Sequence, residues 1–209
     1  PALGPIDFGS RWLAGVHCGR GCWEGIQPGR TSYSSAKQVL MVHPLTAAGT
    51  SLEPVLGSIG WNMADQAIAT IGLSGPNAEA IQFVHVRFLS ESYPLADVFQ
   101  MLGEPDYVDA WVDIVNVEHP ERKFSLTYIF SAQGAAVTLA VPRGQRPEDG
   151  PSARYAELLL FEPGLDSYVQ ARWGRSLNPF GGKSISRWIG HRGFGYYCRP
   201  IVDGATCLP

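Results

Sequence analysis

The sequence predicts an α+β protein: two tandem units of a short helix plus an antiparallel meander sheet, followed by an irregular aromatic C-terminal extension. One observation is a segment that occurs twice. Tyr33, Ala36 and Met41 in the first copy recur as Tyr93, Ala96 and Met101, sixty positions on. A second is that runs of strand-like residues follow each copy, so one helix-then-sheet unit reads as built twice. The third is composition. With 24 glycines, 16 prolines and 17% charged residues, the chain is turn-rich and favours sheet over a helical bundle. The expected divisions are an irregular segment over residues 1–30, repeats over 31–89 and 90–163, and a Gly/Arg/aromatic extension over 164–209.

Thr31 or Ser32 can cap a helix over Ser34 to Val42. Strands are expected at Ser58 to Met63, Ala67 to Leu73 and Ala80 to Leu89. Gly75-Pro76-Asn77 turns the last two into a hairpin. In the second copy Ser92 can cap, Pro94 suits the first helical turn, and Gly103 and Pro105 stop the helix after Leu102. Strands then follow at Asp106 to Val115, Phe124 to Ser131, Ala135 to Val141 and Arg154 to Phe161. Their short connections predict an antiparallel meander. In the first of these, Val108, Ala110, Val112 and Ile114 share one face, expected against the second helix, while Tyr107, Asp109, Trp111 and Asp113 share the other.

Beyond Gly164 no period is evident. Trp173, Phe180, Trp188, Phe194, Tyr196 and Tyr197 alternate with basic residues and glycines, too aromatic a mixture for a linker. Trp173, Trp188, Tyr196 and Tyr197 are therefore expected to be fixed by contacts, over the sheet face carrying Trp111 or on a partner. The net charge is −3, but residues 164–209 carry six basic against two acidic side chains. That puts +4 on the extension and −7 on the rest, so the extension suits the molecule's own body or an acidic partner.

Four cysteines, Cys18, Cys22, Cys198 and Cys207, lie near the two ends. An even number so placed reads as disulfides and as an extracytoplasmic protein, periplasmic, cell-surface or secreted. Gly19, Gly21 and Gly204 let Cys18 close on Cys22 and Cys198 on Cys207. A bridge tying head to tail is the competing arrangement. No signal-peptide pattern opens the chain at Pro1 and no apolar run reaches about 20 residues, so it reads as a mature product whose membrane association runs through a partner or an unseen anchor.

Gly25-Ile26-x-Pro28-Gly29-x-Thr31 before a short helix, and a helix leaving through Leu102-Gly103-x-Pro105 before a strand, resemble the small helix-plus-sheet unit of the SmpA/OmlA outer-membrane assembly lipoproteins. Two such units in tandem resemble the β-lactamase inhibitor protein family. The Cys22-Trp23-x-Gly25-Ile26-x-Pro28-Gly29 start is also similar to uncharacterised bacterial lipoproteins. The resemblance covers about residues 22–163 and departs from the pattern at His43, where the exit glycine would stand. It implies the fold and a habit of binding other proteins, without naming a target.

Catalytic motifs do not fill that gap. Cys18-Gly-Arg-Gly-Cys22-Trp23 carries one residue more than the papain-like nucleophile motif, and Gly25, Pro28 and Gly29 forbid the helix that motif needs. The cysteine spacings are not those of zinc sites. His85, between Val84 and Val86, reads as a hydrogen-bonded or edge-facing strand residue. Asp109 and Asp113 lie about 13 Å apart along a strand, too far for a glycosidase pair. Gly190-His-Arg-Gly193-Phe-Gly195 has its glycines in the wrong order for a dinucleotide fingerprint. The aromatic and basic extension in an acidic, exported chain argues against nucleic acid.

The expected function is thus that of a non-enzymatic binding or accessory subunit, with no metal or cofactor, that docks on a larger protein or membrane complex. Tyr107, Asp109, Trp111, Asp113, Tyr155, Trp173, Trp188 and Tyr196 are the candidate contact residues. The blander alternative is that the extension simply covers its own sheet. A self-assembling structural subunit of a surface layer or filament, and a cysteine hydrolase using Cys22, are the other readings.

Overall fold

The computed structural model describes residues 12, 21–42, 53–55, 58–63, 67–73, 79–88, 93–114, 122–141, 145–147, 150, 152–173, 184–200 and 207–208. It is an α+β fold dominated by one antiparallel sheet.

The chain enters through a two-residue turn. Trp23 and Ile26 exchange both backbone hydrogen bonds, at 3.0 and 2.8 Å. Glu24 and Gly25 turn the corner at φ +49° and +90°, the left-handed pair that a tight hairpin turn requires. Helix α1 (Tyr33–Val42) follows, with Ala36 and Leu40 buried one turn apart. The Ser32 hydroxyl accepts the Ser35 N–H at 3.1 Å, which makes Ser32 its cap. Strands β1 (Glu53–Val55), β2 (Ser58–Met63), β3 (Ala67–Leu73) and β4 (Ile81–Phe88) then run as an antiparallel meander, each pairing with the next.

Two-residue β5 (Tyr93–Pro94) leads into α2 (Leu95–Leu102), which buries Leu95, Val98 and Leu102. Pro94 sits at the cap position rather than inside the first turn, and no side chain caps this helix. Ser92 lies outside the described residues. Gly103 ends the helix at φ +84°, donating its N–H to the Phe99 carbonyl at 2.9 Å. A second meander follows: β6 (Tyr107–Ile114), β7 (Arg122–Phe130), β8 (Ala135–Leu139) and β9 (Arg154–Phe161).

The two meanders are joined through their last strands, giving the order β1-β2-β3-β4-β9-β8-β7-β6 and, at the far edge, β10 (Ile185–Arg187). On one face the register lines up Val86, Leu158, Val137, Tyr128 and Val108 across five strands. Both α1 and α2 pack on this face and complete the main core. Val108, Ala110 and Val112 belong to it, as the alternation in β6 predicts.

Among its described residues the extension is not irregular. Directly after Gly164 comes α3 (Leu165–Trp173), then β10, the short helix α4 (Phe194–Tyr197), and β11 (Arg199–Pro200) paired with β12 (Cys207–Leu208). Leu165, Tyr168 and Val169 sit at helical spacing and pack over Ile129, Ala136, Leu159 and Phe161 on the opposite sheet face. The extension therefore covers both faces: α3 lies on the face away from α1 and α2, while Trp188, Phe194 and Tyr197 join the main core.

A candidate docking surface

On the α3 face the row next to the apolar one is polar. Arg87, Glu157, Thr138, Thr127 and Asp109 stand directly opposite one another across β4, β9, β8, β7 and β6. Arg87 donates to Glu157 at 3.1 Å, and His85 lies 3.3 Å from the other oxygen of the same carboxylate. The Thr127 and Thr138 hydroxyls meet at 2.8 Å. Burial pushes the Glu157 carboxyl up. The His85 hydrogen bond and charge, with Arg87 and Arg172, outweigh burial and hold the group down at about 2.

At the β6 end, Asp109 is fully buried. Tyr168 of α3 donates to one carboxylate oxygen at 2.7 Å and Ser184 to the other at 2.5 Å. Burial, then the charge of Asp109, pushes the Tyr168 phenol well above its ordinary range. On the same strand the Arg187 guanidinium lies 5.7 Å from the Tyr107 ring centroid and that of Arg172 5.6 Å from the Trp111 ring centroid. Three residues of the strip expected to meet a partner are thus contacted by the chain's own extension. For Asp109 the partner reading is corrected, because a carboxylate out of water must be satisfied where it lies. Asp113 falls in β6 and Trp173 ends α3; their side chains lie outside the described residues.

Tyr155 is corrected in the same way. It is fully buried, its hydroxyl accepts the Trp12 indole N–H at 3.0 Å, and its ring packs among Trp12, Phe88 and Tyr93. Trp188 is half-buried in a second aromatic cluster. The ring of Phe99 lies 5.9 Å away, Tyr128 5.3 Å, His191 5.0 Å and Tyr197 6.0 Å, the last stacked parallel. These contacts are on the helix face of the sheet, not the face carrying Asp109.

Tyr196 is different: it is 49% exposed. Ile189, which sequence reasoning passed over, is 50% exposed. The two are tied together through Tyr197, whose buried ring bears a hydroxyl that donates to the Gly190 carbonyl at 2.6 Å and accepts the Ile189 N–H at 3.3 Å. His191 and Arg192, between them in sequence, are also exposed. The result is a small knuckle of apolar and basic side chains seated on a rigid aromatic platform. The signal that could have found it is local: Gly190 and Gly193 turn the chain at φ +97° and +78°, while Ile189 and Tyr196 are exposed.

Cys22 and Cys198 are both buried and disulfide-bonded. Cys18 and the Cys207 side chain lie outside the described residues, and with them the pairing. No group of three or more His, Cys, Asp or Glu arranged to hold a metal occurs among the described residues, and no described helix is long and apolar enough to cross a membrane. No protein-family model, curated protein or solved structure matches the chain.

Proposed function

We propose that this chain is an extracytoplasmic, non-enzymatic accessory subunit that docks on a membrane complex through the Ile189–Tyr196 knuckle. The observation that carries the reading is the knuckle itself. Large apolar side chains half in water, held by a hydrogen-bonded Tyr197 on a packed aromatic base, are pre-organised for contact rather than left over from folding. The bonded state of Cys22 and Cys198 supports an oxidising compartment.

Two tandem helix-plus-sheet units, like those of the SmpA/OmlA lipoproteins, are the proposed architecture beneath this function. Supporting it, each meander is preceded by a helix, and each helix is entered beside the last strand of its own meander. Ser32 bridges to Ala80, just before β4, as Tyr93 pairs with Tyr155 at the start of β9.

Membrane fractionation of the producing cell tests the function. The wild-type chain is expected with a membrane complex, and Ile189→Ala/Tyr196→Ala is expected in the soluble fraction with an unchanged melting temperature. A double variant that stays with the complex would overturn the reading.

A further inference from the structure

We propose that the cleft between the start of β4 and the flank of α3 binds a single neutral sugar ring. The cleft shares no lining residue with the knuckle.

Its walls come from parts of the chain far apart in sequence. Gly29 belongs to the Pro28-Gly29-x-Thr31 turn, Ala80, Ile81 and Gln82 lead into β4, Glu162 follows β9, and Ser167 and Gln170 stand about one turn apart on α3. Hydrogen bonds weld the turn to β4: the Gly29 N–H donates to the Ile81 carbonyl at 2.7 Å, and the Ile81 N–H to the Thr31 carbonyl at 2.8 Å. Gly29 also makes room. At its φ of +77°, a Cβ would stand 3.0 Å from the Glu162 carboxyl carbon, so glycine lets that carboxylate lie close against the turn.

The polar groups decide the ligand. Gln82, Ser167 and Gln170 both donate and accept, whereas Glu162 only accepts. Among the described residues, none of these four side chains is taken up by a hydrogen bond or ion pair within the chain. An anion would meet the Glu162 carboxylate. A metal ion or an ammonium group would face the carboxamide N–H groups and leave them without an acceptor. Hydroxyls donate and accept alike, so a ring carrying several of them suits all four side chains, with two neighbouring hydroxyls donating to Glu162. Glu79, Asp166 and Arg30, next to lining residues in sequence, are exposed and mixed in sign, so water and salt screen them from selecting a charged ligand. At about 210 Å³ the cleft has the space of roughly seven waters, the room of one ring.

The test is a titration of the isotope-labelled full chain with glucose, galactose, mannose and N-acetylglucosamine, followed in amide correlation spectra, with acetate and methylammonium as charged comparators. At least one sugar is expected to shift the Gly29 backbone amide and the Gln82 and Gln170 side-chain amides together, saturating in the millimolar range that so small a ligand supports. Glu162→Ala and Gln170→Ala replace exposed side chains, so each should keep the wild-type melting temperature and weaken that binding at least several-fold. The assignment is overturned if no sugar moves these three signals, if both variants bind as the wild type does, or if acetate or methylammonium moves the signals and the sugars do not.

Discussion

Tyr168 and Glu157 tie the molecule to pH through opposite signs. The Tyr168 phenol is held above its ordinary value of 10 by burial and by Asp109, so unfolding above pH 10 releases a proton that folding retains. Stability then falls as pH rises past 10, and Tyr168→Phe should abolish that slope in alkaline denaturation curves. Glu157 runs the other way. Its carboxyl titrates at about 2 against an ordinary 4.5. Its contribution is complete above pH 4.5 and disappears as pH falls toward 2, amounting to about 3 kcal/mol. Urea unfolding between these limits should show wild-type protein losing stability and Glu157→Gln nearly flat. At the buried end of the same row, Asp109→Ala takes the carboxylate acceptor from the Tyr168 and Ser184 hydroxyls and should cost about 3 kcal/mol.

At the scale of elements, the close approach of the β7–β8 connection to β9 gives a sharp expectation. Gly134 turns at φ +67°, and a Cβ there would overlap the Phe161 carbonyl oxygen. Gly134→Ala should therefore destabilise by about 2 kcal/mol or more, read as a lower melting temperature. The strands β2, β3 and β9 were legible residue for residue, because apolar runs of strand length are bracketed by Gly- and Pro-containing turns. Helix α3 was not. Its Leu165, Tyr168 and Val169 spacing is present, but Asp166, Gln170 and Arg172 interrupt it, and the aromatic, Gly-rich chain beyond drew the whole extension into one irregular reading. Asp109 and Tyr155 were misread for a different reason. Alternation assigns a side chain to a face, but whether that face meets water depends on α3, β10 and Trp12, which lie far away in sequence. Tyr196 kept its exposure because it follows Gly195 and meets the buried Tyr197 ring edge-on.

Across the whole molecule, the extension acts as part of the core rather than as an appendage. Truncation before Gly164 would bare Leu159 and Phe161 on one face, withdraw Phe194 and Tyr197 from the other, and strip Asp109 of the Tyr168 and Ser184 hydroxyls that satisfy it. The shortened chain should aggregate on expression, and solution recovery measures this directly; a soluble truncation with wild-type stability would contradict the packing. Joining the meanders through their last strands has one more consequence, for the order of events during synthesis. His85 pairs with Glu157 across 72 positions, so β4 is complete long before its neighbour has left the ribosome. Through that interval the growing chain carries an open edge flanked by Val84 and Val86. The middle of the finished sheet is therefore the stretch most in need of a chaperone while the chain is being made.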